Sequence, residues 1–148
     1  MQLLCRLAYE AIADLIPMLP ETKFAPWQNR HIPNLEVTTL VQRVGTRGQP
    51  TLRSFDQPAW TVRALGHDRH WRQMDAFIAT APLHKKSIDS SVEQGRVVMV
   101  TPRALARFQS FPDSYQLPES RTQASKIIGN SVPPLMAQKL LGSIKQAV

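Results

Sequence analysis

The residues best equipped for chemistry gather in one stretch, Arg63, His67, Asp68, Arg69, His70, Trp71 and Arg72, with Trp60 ahead of it and Gln73 behind it. Arginine grips phosphate or pairs through two hydrogen bonds with the major-groove edge of guanine, and histidine and glutamine read base edges. Arg43, Arg47 and Arg53 extend the basic window against only Asp56 and Asp68, so most of the formal net charge of +7 sits there. Such a charge favours a polyanion over an acidic small molecule as partner. Arg63, His67, Arg69 and Arg72 are therefore the expected nucleic-acid contacts, with Trp60 and Trp71 packing or touching backbone. The plain alternative is a solvated charged face.

A nucleophile is harder to find. Cys5 is the single cysteine, and it follows Leu4 on the apolar part of a predicted helix, where a thiol is inert. One cysteine forms no internal disulfide, so the chain carries no extracellular staple and a cytoplasmic location is expected. Cys5 and the scattered histidines offer no ligand pairs at metal spacing, so no metal is expected. Arg6, Glu10 and Asp14 interrupt the first apolar run, which excludes a signal-peptide core or a membrane span there. No catalytic residue is expected among these side chains.

The elements that must position these residues follow from periodicity. Leu4, Leu7, Ala8, Ala11, Ile12 and Leu15 recur at helical intervals, predicting a helix over 3–16 that Pro17 and Pro20 end. Residues 17–36 are proline-rich, with Phe24 and Trp27 as anchors. Short strands are predicted at 37–44, 59–64, 75–79 and 96–100, punctuated by Gly45, Gly48, Gly66 and Gly95. Thr101 is an N-cap with Pro102 in the first helical position, and Phe111, Pro112 and Asp113 stop that helix. Gly129 and Asn130 read as a turn, Ser131 or its neighbour as a cap, and a last helix from about Pro133 carries Leu135, Met136, Leu140, Leu141 and Ile144. The fold class is α+β. The expected organisation is an N-terminal helix and connector over 1–36, a small irregular β-rich domain over 37–100, and C-terminal helices over 101–148. With 12 prolines and 7% aromatic residues, part of the core is expected to come from elsewhere.

Two blocks carry a resemblance. Thr101-Pro-Arg-Ala-Leu-Ala-Arg-Phe-Gln-Ser-Phe-Pro-Asp-Ser-Tyr115 and, downstream, Gly129-Asn-Ser-Val-Pro-Pro134 resemble the last two conserved blocks of the cytosine-5 DNA methyltransferases. Residues 10–15 and the Asp56-x-Pro58-x-x-Thr61-Val62 stretch are similar to segments of the same family. The resemblance implies that Arg103, Arg107, Gln109, Phe111 and Pro112 brace a target-recognition domain (37–100), and that Asn130, Ser131 and Val132 edge the S-adenosylmethionine pocket. Ala104 stands where the family has a glutamate, so the Thr101 cap should lack its reciprocal partner. The Pro-Cys, Glu-Asn-Val and Gly-rich blocks that supply thiolate, acid and cofactor turn are absent. The implied protein is the DNA-recognition subunit of a two-chain DNA (cytosine-5-)-methyltransferase, inactive alone. Its partners would be double-stranded DNA and a large catalytic subunit sharing S-adenosyl-L-methionine, in a restriction-modification setting. The alternatives are a stand-alone DNA-binding module left by truncation of a methyltransferase gene, or a nonfunctional remnant.

Overall fold

Short apolar strands in this chain are buried on both faces, and that fixes the architecture. The computed structural model describes residues 7–24, 32–42, 51–60, 62, 76–81, 83–84 and 95–146. Strands β1 (Thr39–Gln42), β2 (Thr51–Ser54), β3 (Ala76–Ala79) and β4 (Val97–Met99) form a sheet in the order β2-β1-β3-β4, every neighbour antiparallel. The register sets Leu40 beside Ile78 and Ile78 beside Val98, and on the opposite face Val41 beside Phe77 and Phe77 beside Met99. Successive side chains point to opposite faces of a strand, so one sheet feeds two clusters. Leu40, Ile78 and Val98 pack with Ile12, Leu105 and Ile128, whereas Val41, Phe77 and Val97 pack with Phe24, Ile32, Leu35 and Leu83. Strand β3 reads Ala-Phe-Ile-Ala with every residue buried, as a strand covered on both faces must.

Helix α1 (Ala8–Ile12) presents Ala8, Ala11 and Ile12 to the first cluster. Leu7 offers no side-chain cap, so the first free amides of α1 are met by backbone: Ala8 N–H donates to Gln57 O and Tyr9 N–H to Phe55 O. The helix is shorter than the predicted 3–16, of which residues 3–6 lie outside the described residues. Pro17 has no N–H for the Ala13 carbonyl and disfavours helical backbone at Ile16, so the chain tightens into a 3₁₀ turn, Ile16–Met18. Beyond it Met99 N–H donates to Pro20 O and Thr22 N–H to Val97 O, laying residues 20–22 along the outer edge of β4.

The sequence places a strand at 59–64, but the described residues Ala59, Trp60 and Val62 belong to none. Pro58 makes one bridge to Leu7, and side chains take the carbonyls that a ladder would have used: Arg53 Nη1 donates to Pro58 O and Gln109 Nε2 to Val62 O. Strand β2 sits instead at Thr51–Ser54, where no strand was expected. Helix α2 (Pro102–Phe108) is as predicted, α3 (Arg121–Asn130) is not foreseen by the periodicity, and α4 (Pro134–Gln146) starts at the double proline. Mixed helices and antiparallel sheet agree with the α+β class.

Candidate functional site

Helix α2 turns one face to the sheet and the other to a charged network. Ala104, Leu105 and Ala106 are buried, while Arg103 and Arg107, four apart, emerge on one side. Thr101 Oγ1 accepts from Ala104 N–H at 3.4 Å, the long, one-sided cap expected without a glutamate. Arg103 donates to Tyr115 O at 2.8 Å and to Pro112 O at 3.4 Å, fastening the chain that leaves the helix.

Arg107 joins three segments. Its Nε and Nη2 hold the two Asp113 oxygens at 2.8 and 2.6 Å, and its Nη1 holds Asp14 at 2.5 Å. The hydrogen bonds to Asp113 first, and then to Asp14, raise the guanidinium above its already high ordinary value. In return, the hydrogen bonds from Arg107 hold both carboxyls below the usual aspartate range. A single exposed ion pair contributes little, but a forked arginine shared by two carboxylates fixes geometry.

The helix ends in a Schellman turn. Phe111 N–H donates to Ala106 O and Ser110 N–H to Arg107 O, with Ser110 at φ 62°. Gln109, buried, sends Nε2 to Val62 O at 3.1 Å, and its Oε1 meets no donor among the described residues. The ring of Phe111 packs into the first cluster and lies 5.0 Å from that of Tyr115. Arg103, Arg107, Gln109, Phe111 and Pro112 thus belong to one junction that ties α2 to the segment after α1, to Val62 and to residues 112–115.

Asn130, Ser131 and Val132 lie where α3 gives way to α4. Gly129 and Asn130 are still helical, not a turn, because the α3 hydrogen bonding runs on until Ser131 N–H reaches Ile128 O. Asn130 and Val132 are exposed. Ser131 does not cap α4: its hydroxyl donates back to Ile127 O at 2.6 Å. The cap comes from Ser110, whose Oγ accepts from Leu135 N–H at 3.2 Å.

The expected nucleic-acid contacts Arg63, His67, Arg69 and Arg72 lie outside the described residues, as do Cys5, Trp27 and Trp71. Trp60 is described; the Arg53 guanidinium stands 5.8 Å from its ring centre. A small cavity of about 20 Å³ between α2 and the sheet is lined by Trp60, Val62, Leu105 and Phe108, room for about one water and not for a cofactor. Among the described residues no group of three metal-ligating side chains occurs and no helix is long and apolar enough to cross a membrane. Sequence reasoning missed Asp14, Asp113 and Ser110 as working residues. In the sequence Asp113 reads only as a helix stop, and a positive φ leaves no mark on a serine.

The family model for C-5 cytosine-specific DNA methylase matches residues 14–146. The chain belongs to this family. Type II methyltransferase M.AgeI of Thalassovita gelatinovora is 47% identical over 49 residues, 33% of this chain and 11% of that protein. Type II methyltransferase M.Bpa9945I of Bacillus paralicheniformis is 33% identical over 82 residues, 53% of this chain and 18% of that one. DNA (cytosine-5)-methyltransferase 1A of Oryza sativa subsp. japonica is 39% identical over 67 residues, 45% of this chain and 4% of the plant protein. The chain therefore spans a small part of the length of the curated relatives it matches. No solved structure matches it.

Proposed function

We propose that these residues form the DNA-recognition subunit of a two-chain DNA (cytosine-5-)-methyltransferase. One observation carries the reading: the family match covers 14–146, and that span holds no cysteine, Cys5 lying ahead of it. Methyl transfer to carbon 5 of cytosine needs a sulfur nucleophile on the neighbouring ring carbon, and the base must leave the duplex to meet it. In the two-chain reading that sulfur belongs to the catalytic subunit. The exposed apolar side chains of α4, Met136, Leu140, Leu141 and Ile144, support the same view, since a stripe of this kind calls for a cover.

The division of labour follows. Residues 37–100 form the target-recognition domain, in which Arg63, His67, Arg69 and Arg72 grip double-stranded DNA. The junction of Arg103, Arg107, Gln109, Phe111 and Pro112 holds that domain to the helices, Gln109 fastening Val62 at the root of the basic stretch. Residues 101–148 dock on the catalytic subunit. S-adenosyl-L-methionine, which supplies the methyl group, would be shared between the chains. The exposed amide of Asn130 and the exposed side chain of Val132 suit its polar and apolar parts, while Ser131 has committed its proton to Ile127 O.

Co-expression with a neighbouring chain that carries the Pro-Cys block tests this. A one-to-one complex that methylates DNA, with neither chain active alone, is the expected result. Arg69→Ala or Arg72→Ala in that complex should weaken DNA binding by about 1–3 kcal/mol if the side chain reads a base. A monomer that binds DNA with strong salt dependence and takes no partner would favour the stand-alone module. Catalytic blocks continuous with this sequence in one reading frame would overturn the two-chain arrangement.

A further inference from the structure

The start of α4 has a capping problem that its own sequence does not solve. Ala137 N–H donates to Pro133 O, so Pro133 occupies the N-cap, where a side-chain oxygen would ordinarily accept from the second or third helical amide. Proline has none. Pro134 brings no N–H at all, and Ser131, the nearby hydroxyl, is turned to Ile127 O. The first free amide, Leu135 N–H, goes instead to Ser110 Oγ, 25 residues upstream.

Ser110 reaches it because of an unusual backbone. It sits at φ 62°, in the left-handed region that closes the Schellman turn of α2, a conformation costly for serine and free for glycine. Backbone preference alone would favour glycine here, so the hydroxyl needs another reason to be present. Its bond to Leu135 supplies one: the strained end of α2 is the cap of α4, and residues 131–133 are strung between Ile127 and that bond.

We infer that Ser110 is a positioning residue: its hydroxyl pins the start of α4 to the end of α2 and so sets the place of Asn130, Ser131 and Val132. The cofactor part of this inference rests on the function proposed above; the pin itself does not. Three variants separate backbone from hydroxyl. Ser110→Gly accepts the left-handed backbone but has no acceptor, Ser110→Ala has neither advantage, and Ser110→Asn tolerates the backbone and keeps an acceptor.

In this chain, amide hydrogen exchange at Leu135 should speed up about five- to tenfold in Ser110→Gly, the size set by one lost hydrogen bond, even though the thermal midpoint holds or rises. Ser110→Asn should restore much of the protection. Unchanged Leu135 exchange in Ser110→Gly overturns the pin. In the assembled complex, the dissociation constant of S-adenosylmethionine should rise in Ser110→Gly and recover in Ser110→Asn. Faster exchange with unaltered cofactor affinity overturns the positioning role. If the unsubstituted complex bound no cofactor, the functional reading would fall while the exchange experiment still decided the pin.

Discussion

Helices α2 and α4 share a chain and differ in nearly everything that makes a helix stay put. Helix α2 buries Ala104, Leu105 and Ala106, is capped at both ends, and sends Arg103, Arg107 and Gln109 to partners on three other segments. Helix α4, nearly twice as long, leaves Leu140, Leu141 and Ile144 between 55% and 62% exposed and is held to the end of α2 by the Ser110 bond. One helix is finished within this chain. The other has an apolar stripe and nothing described to cover it, and the contrast separates the part that carries stability from the part available for assembly.

The sharpest way to break the contrast is truncation on each side of it. Ile78→Ala or Ile128→Ala, both fully buried, should cost about 2–5 kcal/mol in urea unfolding of the chain. Leu140→Ala or Ile144→Ala should change the free chain by only about 0.5 kcal/mol, yet weaken capture of the proposed catalytic subunit in a pull-down. Equal destabilisation by both pairs would show that α4 belongs to the core in solution.

Acid should act on the α2 side alone. Asp14 and Asp113 have folded pKa values below the ordinary value of about 3.9, so the unfolded chain takes up their protons first as pH falls. Their stabilisation is complete above that value and is lost as pH drops through the folded ones. Thermal midpoints of the wild type should therefore fall more steeply below about pH 4 than those of Arg107→Met, which has no such pairing to lose. Parallel curves would remove the network from the stability of the junction.

The smallest effect concerns Gly142 on α4, around which a methyl group would meet nothing within 4 Å. Gly142→Ala should stabilise the free helix by about 0.5–1 kcal/mol, seen as higher helicity by circular dichroism. If the same variant weakens assembly, the partner approaches closely at that point.

What the sequence disclosed depended on how local the cause was. The α2 helix was legible because Thr101 and Pro102 announce its start and Phe111, Pro112 and Asp113 its end. The family blocks were legible for the same reason, being contiguous. Strand β2 was not, because Thr-Leu-Arg-Ser has weak alternation and is a strand only beside Val41 and Leu40. Helix α3 was not, because Ala124, Ser125 and Ile128 make a narrow buried face with little apolar contrast. The role of Asp14 lies 93 residues from Arg107 in sequence, and no spacing rule reaches that far. The Ser110 cap was hidden for both reasons: it is distant from Leu135, and it depends on a backbone angle.

The strip of residues 20–22 along β4 has one more effect. With Met99 N–H and Val97 O already engaged by Pro20 and Thr22, that margin of the sheet has few backbone groups left to offer a visiting strand. Strand-by-strand growth into aggregates is blunted on this side, and a protein that joins the molecule from here must do so through side chains.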